Sequence, residues 1–155
     1  MVTGVRMTEA AIAKAEDIAF VRFFAPDLDK MERLAMRGAD AEPFVHLTER
    51  GPAAFGGAGF RVSARGDLDA LARASGANVM DSPFPGGGQA IALTDPNGFP
   101  IWVVHGQSRP PALPLPPAPL LNDAAGRPRI DAPTRMDKGP STVKRLGHVV
   151  LNVKS

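Results

Sequence analysis

The feature that most constrains the fold is a hairpin signal close to residue 95. Residues 89–94 and 99–105 are apolar runs typical of strands, and Asp95-Pro-Asn-Gly98 lies between them. Asn-Gly before an apolar run is among the strongest short-range indications of an antiparallel hairpin. The sequence therefore predicts two paired strands near the end of a folded domain.

The residues before this hairpin complete a β-α-β-β-β pattern. Residues 57–64 predict a strand, although their glycines weaken the prediction. Residues 67–75 predict a helix, with Asp67 near its cap and Gly76 just past its end. A short extended piece at 79–83 precedes the hairpin.

The first half of the chain has a related pattern. Residues 18–25 are rich in Phe and Val and predict a buried strand, and residues 42–48 predict another. Between them, the apolar spacing after Asp27 predicts a helix that includes Leu34 and Ala35. A short N-terminal helix is expected over residues 8–16, where alanines follow Thr8.

Composition limits the possible functions. A chain of 155 residues suits one domain, and the formal charge of +2 is too small to favour binding to nucleic acid. The absence of cysteine excludes disulfides and thiolate metal sites. No apolar run is long enough for a membrane span, and no signal peptide is visible, so a cytoplasmic protein without a membrane partner is expected.

The sequence suggests four segments. Residues 1–16 are an N-terminal extension, and residues 17–106 are the folded domain. Residues 107–144 are a linker, because residues 109–119 alone contain six prolines. Residues 145–155 predict a strand, which we interpret as the first strand of a second domain that would follow Ser155.

Several of these segments together resemble a known superfamily. Leu93-Thr-Asp-Pro-Asn-Gly-Phe-Pro-Ile-Trp-Val-Val104 and Phe20-Val-Arg-Phe-Phe-Ala-Pro-Asp-Leu-Asp-Lys-Met-Glu-Arg33 resemble modules of the vicinal oxygen chelate (glyoxalase/bleomycin resistance/dioxygenase) superfamily. With Leu113-Pro-Leu-Pro, residues 122–129 and Gly147-His-Val, the chain is most similar to the N-terminal domain of a two-domain type I extradiol dioxygenase. The resemblance implies an α+β fold of paired βαβββ modules.

The first module departs from this pattern. The resemblance would place about fifteen more residues, a typical helix end plus a strand, between Arg33 and Leu34. In that alignment Leu34 to Gly38 forms the module's third strand, which competes with the helical interpretation of Leu34 and Ala35. The first module is therefore expected to be shortened.

The resemblance also implies chemistry. Extradiol dioxygenases hold Fe(II) with two His and one Glu, on the first strand of each module and the last strand of the closing module. Those places fall here at Phe20, Gly57 to Gly59 and Trp102, which cannot bind iron. His148 matches the first iron ligand of the catalytic domain, but only if a full second domain follows. His46 lies where related folds can have one ligand.

No catalytic or cofactor-binding residue is therefore assigned to this chain, and no cofactor is expected for the chain alone. The expected function is the non-metal-binding N-terminal part of an extradiol ring-cleavage dioxygenase-like protein. The full-length parent would use Fe(II) to cleave a small aromatic substrate, a catechol. The alternatives are a stand-alone, metal-free small-molecule-binding module, which could be a homo-oligomer, and an inert truncated product.

Arg22 is the most unusual residue of the first strand. Strand alternation places it on the same face as Phe20 and Phe24. Either this face is partly open to solvent, which we favour because arginine is seldom buried unpaired, or Arg22 binds a carboxylate.

Overall fold

The computed structural model describes residues 11–28, 31–115 and 143–152, which contain a seven-stranded mixed sheet and a helix. The elements in chain order are β1 (Ala15–Ala25), β2 (Arg33–Met36), β3 (His46–Arg50), β4 (Ala54–Val62), α1 (Arg65–Ser75), β5 (Val79–Asp81), β6 (Gln89–Thr94) and β7 (Pro100–His105). The strand order is β2-β3-β1-β4-β7-β6-β5, and the predicted α+β class is confirmed. Within these ranges, no helix has both the length and the apolar composition that crossing a bilayer demands.

The second module, β4-α1-β5-β6-β7, is complete and confirms the predicted pattern. Its hairpin pairs β6 with β7 in antiparallel register, for example Ala90 with Val104. The turn forms because the Asp95 carboxylate accepts hydrogen bonds from the N–H groups of Asn97 and Phe99, each 2.8 Å long. The helix ends at Gly76, whose φ of 73° is the left-handed conformation that glycine adopts without strain.

The first module is shortened, as predicted. Its strands lie in the order β1-β3-β2, which matches the order β4-β7-β6 of the second module. Only residues 26–32 connect β1 to β2, too few for a helix and a strand. The helix predicted after Asp27 is therefore wrong: Leu34 and Ala35 lie in β2 and pair with β3. Pairing with an existing strand satisfies the backbone of this segment better than an isolated helical turn would.

Two other predicted elements are not formed. Residues 11–14 are not helical and β1 begins at Ala15, so the helix at 8–16 is wrong over its described part; residues 8–10 lie outside the described residues. A short helix without tertiary packing is marginal, whereas Ala15 and Asp17 pair with β4. Residues 145–152 form no strand, because a strand requires a paired neighbour; residues 153–155 lie outside the described residues.

The sheet has an apolar cluster on each face. The inner face carries a cluster of buried residues, namely Ala19, Phe20, Phe44, Leu47, Phe84, Ala90 and Val104, against which Trp102 packs. The outer face carries Val62, Ile91 and Val103, and α1 covers them with the buried Leu68. Strand alternation therefore assigns Phe20 and Arg22 to the inner face and Phe23 to the outer face.

The described parts of the predicted linker contact this domain. The Ala39 N–H donates to the Val143 carbonyl (2.8 Å), and the Leu113 N–H donates to the Ala39 carbonyl (2.7 Å). The buried carboxylate of Glu42 accepts hydrogen bonds from Arg61 and Arg109. Residues on both sides of the undescribed segment 116–142 are thus held at the β2–β3 connection.

The segment at residues 143–145 also makes a close backbone contact that only glycine permits. A Cβ atom at Gly38 would lie 2.0 Å from the Lys144 carbonyl oxygen, and the Asp40 N–H donates to that same oxygen over 3.1 Å. The Arg145 guanidinium adds an ion pair to Asp17 at 3.2 Å. Glycine at position 38 is therefore a steric requirement for holding this segment.

We expect Gly38→Ala to release residues 143–145 while the sheet stays folded. Losing two backbone hydrogen bonds, each worth about 1 kcal/mol, should make tryptic cleavage after Lys144 or Arg145 roughly thirtyfold faster. Limited proteolysis followed by mass spectrometry measures this rate. Gly66→Ala is the control, because a Cβ there meets nothing within 4 Å; equal cleavage rates in the two variants would contradict the proposed attachment.

Candidate functional site on the inner face of the sheet

The three positions at which the resemblance places metal ligands meet on the inner face. Phe20 of β1 is the registered partner of Gly59 of β4, and Gly59 is in turn the partner of Trp102 of β7. The three residues therefore form one row across the middle of the sheet, which we call the central row. Of the three residues Gly57 to Gly59 that the sequence offered for the second place, the register therefore selects Gly59.

Aromatic packing fills the central row. The Phe20 ring is fully buried, and a Cβ at Gly59 would lie 2.4 Å from it, so the ring takes the space that a side chain at position 59 would need. The ring centroid of Phe20 lies 4.6 Å from those of both Phe44 and Phe84. Trp102 meets Phe84 edge to face at 4.8 Å. These contacts explain the glycine in β4, which had weakened the strand prediction.

A group of three charged residues borders the aromatic row. Arg22 Nε donates to Glu49 Oε2 over 2.6 Å, and Arg33 donates to Glu49 Oε1 through Nη2 (2.6 Å) and Nε (3.0 Å). The Arg22 guanidinium also lies over the Phe24 ring, 4.6 Å from its centroid. Both interpretations of Arg22 therefore hold: its side chain remains 20% exposed to solvent, and it binds a carboxylate, which belongs to Glu49.

Glu49 was not predicted as part of any site. The strand predicted over residues 42–48 lies instead at His46–Arg50 as β3, which carries Glu49 on the inner face. Burial raises the pKa of Glu49, but hydrogen bonds from Arg33 and Arg22 outweigh it, so the pKa lies below its ordinary value. The only signal in the sequence was the alternation that places Glu49 on the face of Leu47.

The histidines lie apart from the central row. His46 is on the outer face, where it stacks against Phe23 with ring centroids 5.4 Å apart and shares a 2.7 Å hydrogen bond with Thr48. His105 Nδ1 bonds the Val62 carbonyl at 3.2 Å. His148 is exposed in a segment without regular secondary structure. Neither His46 nor His148 is shown to share a site with a second ligand.

The chemistry of the residues on the inner face does not fit iron. Phenyl rings, glycine and indole offer Fe(II) no ligand atom, and the carboxylate of Glu49, at the border of the row, is engaged by two guanidinium groups. Over the described residues, no three His, Cys, Asp or Glu side chains are grouped as a metal site would require. The arrangement performs packing and charge pairing, which stabilise the sheet.

We expect Glu49→Gln to destabilise the chain by about 1–2 kcal/mol at pH 7, because it removes the anion shared by two arginines. Because the folded pKa of Glu49 is depressed, its contribution is complete above the unfolded pKa near 4.5 and is lost as pH falls through the folded pKa. The difference in unfolding free energy between wild type and variant should therefore shrink below about pH 4.5. Urea unfolding between pH 3 and pH 7 measures it.

Asp69→Asn is the matched control for that experiment. It neutralises a carboxylate in the more exposed i,i+4 pair with Arg65 on α1, which should contribute less than about 0.5 kcal/mol. A Glu49→Gln effect as small as this, or one that does not change with pH, would contradict the assigned role of Glu49.

Comparison with solved structures shows which known proteins have a similar fold. The chain is similar to the Mn(II)-bound glyoxalase of Novosphingobium aromaticivorans, with TM-score 0.59 and 18% identity over 67% of this chain and 43% of that one. It is similar to homoprotocatechuate 2,3-dioxygenase of Brevibacterium fuscum in complex with 3,4-dihydroxyphenylacetate, with TM-score 0.55 and 20% identity over 66% and 41%. For the 2,3-dioxygenase LapB of Pseudomonas sp. KL28 the TM-score is 0.52, with 14% identity over 64% and 43%.

No family model matches the sequence, and neither does any curated protein. The chain spans roughly two fifths of the length of these solved structures, 43%, 41% and 43% in the three cases. What the glyoxalase and the dioxygenases share with this chain is the curled mixed sheet of paired modules, so the chain has the fold of the vicinal oxygen chelate superfamily.

Proposed function

We propose that this chain is the N-terminal, non-metal-binding part of an extradiol-dioxygenase-like protein. The observation that carries the proposal is the central row, where Phe20, Gly59 and Trp102, at the places that the resemblance gives to ligands, meet and belong to the packed inner face. A module pair built in this way supports a neighbouring domain and does not itself bind metal. That the chain spans 41% of the dioxygenase it resembles supports the same proposal.

In such a protein, ring cleavage takes place in a second pair of modules. We propose that residues 17–106 form the first domain, residues 107–144 the connection, and residues 145–155 the beginning of the second domain. His148 is then the first candidate iron ligand of that domain, and a small catechol is the substrate class. The attachment of Val143 and Arg145 to the first domain supports this arrangement, because it fixes the point from which a second domain would start.

We expect the chain alone to have no ring-cleavage activity. None of the three residues in the central row has an atom that can ligate Fe(II), so catechol and oxygen have no shared metal to bind. The test loads the chain with Fe(II) under anaerobic conditions and adds catechol or 2,3-dihydroxybiphenyl with oxygen. Formation of the yellow ring-opened product beyond a protein-free Fe(II) control would contradict the proposal.

We also expect weak metal binding or none. A single imidazole, from His46 or His148, cannot displace enough water from Fe(II) to hold the ion tightly. Calorimetric titration with Fe(II) or Co(II) measures the affinity, with His46→Ala and His148→Ala as matched variants. A tight one-to-one isotherm that disappears in His46→Ala would place a metal site on the outer face and favour a different function.

A further inference from the structure

The two modules differ in one place, and the complete module shows what the shortened one lacks. In the second module β5 pairs antiparallel with the outer side of β6, and α1 covers the outer face. In the first module, β2 takes the position of β6 and has β3 as its only strand neighbour among the described residues. We call this place beside β2 and over its outer face the module-one gap.

The outer face of the module-one gap carries two exposed apolar side chains, one on either side of His46. Phe23 is 37% exposed and Met36 is 54% exposed. On the second module, the equivalent surface is packed against Leu68 of α1 and is buried. A helix with an apolar stripe is therefore the element whose geometry this face fits.

Among the described residues, the backbone at the module-one gap also has a strand partner on one side alone. Glu32 and Met36 direct their carbonyls to β3, where they accept hydrogen bonds from the N–H groups of Arg50 (3.0 Å) and Val45 (2.8 Å). In an antiparallel pair alternate residues point in opposite directions, so Arg33 and Ala35 direct their N–H and C=O groups away from β3. Such an edge is a template for a further strand.

We propose that the module-one gap is a docking site for a helix–strand segment of another protein, whose strand pairs antiparallel with β2. The helix buries Phe23 and Met36, as α1 buries its own face, and the strand takes the position that β5 has beside β6. The proposal does not depend on ring cleavage, since it rests on the outer face and the edge of the sheet.

Charge determines which strand fits. Arg33 lies in β2, and Arg37 follows the strand on the same side by alternation. Arg33 and Arg22 share the single carboxylate of Glu49, which leaves an excess of positive charge. Among the described residues, Arg37 donates to the carbonyl oxygens of Gly38 (3.3 Å), Asp40 (3.3 Å) and Pro111 (2.8 Å) and to no carboxylate. A docking strand that alternates acidic and apolar side chains places its acidic groups beside these arginines. Opposite charges across neighbouring strands stabilise the pairing, and like charges oppose it.

A second copy of this chain fits the edge poorly for the same reason. If β2 paired with itself, a two-fold axis would centre on Leu34 or Ala35. With the axis at Leu34, Arg33 of one copy lies diagonal to Arg33 and Arg37 of the other copy. With the axis at Ala35, Arg33 of one copy lies directly opposite Arg37 of the other copy. Both registers bring like charges together, so the occupant is a different, acidic segment.

Hydrogen exchange of the full chain tests the open edge. We expect the Ala35 amide to exchange much faster than the amides of Leu34 and Met36, which belong to the β2–β3 ladder. If the Ala35 amide is as protected as theirs in the chain alone, then another part of the chain or a second copy already covers the edge, and the proposal is wrong.

A synthetic peptide tests the docking. The probe copies Arg65–Asp81, which is the helix–strand unit of the second module, with Met80→Glu to place a carboxylate on the strand. We expect it to bind the full chain and to protect the Ala35 amide. The same peptide with Met80→Lys should bind about fivefold more weakly, since one cross-strand charge pair contributes up to about 1 kcal/mol.

Two variants at one position supply the matched control. Ala35→Pro removes the outward N–H, which an edge strand tolerates, whereas Ala35→Ser keeps it. The serine variant should bind the peptide and the proline variant should not, with both folded by circular dichroism. The proposal is overturned if the Met80→Glu peptide does not bind, if the Met80→Lys peptide binds equally well, or if binding leaves the Ala35 amide unprotected. The comparison of the two peptides remains a complete test even if the proline variant unfolds.

Discussion

The packing of the Phe20 ring against Gly59 is the contact on which the rest of the structure depends. The two residues are registered partners on the first strands of the two modules, so the ring lies at the seam where the modules join. Phe44 and Phe84 pack on it, and Trp102 extends the same aromatic layer through Phe84. Because this layer fills the middle of the inner face, the charged residues lie at its border, where Arg22 and Arg33 share Glu49.

The sequence predicted the second module well, because its signals are local. The Asp95 turn, the helix stop at Gly76 and the strand pair on either side of the turn each depend on a few adjacent residues. The first module was harder. Leu34 and Ala35 have helical spacing, but the short connection and the partner strand β3 determine their conformation, and both are properties of the tertiary structure.

For the candidate site, the sequence predicted the positions in the chain but not the contacts between the side chains. The alignment of Phe20, Gly57 to Gly59 and Trp102 with ligand places could be made from sequence, and the structure joins Phe20, Gly59 and Trp102 in one row. Glu49 could not be found in this way, because its role arises from two arginines, one on β1 and one on β2, that no local pattern links to it. His46 lies on the opposite face of the sheet. Strand register determines this, because a shift by one residue moves every side chain of a strand to the other face.

The close fit of ring and glycine in the central row makes the two positions depend on each other in evolution. A side chain introduced at Gly59 alone would overlap the Phe20 ring, since even its Cβ would lie 2.4 Å away. Shortening Phe20 alone would leave a cavity in the core, at a cost of about 3–5 kcal/mol. A larger residue at position 59 requires a smaller one at position 20, and a smaller residue at position 20 requires a larger one at position 59. Single substitutions therefore provide no neutral route from this packed inner face to one that presents metal ligands. The row is an example of reciprocal epistasis that follows directly from shape.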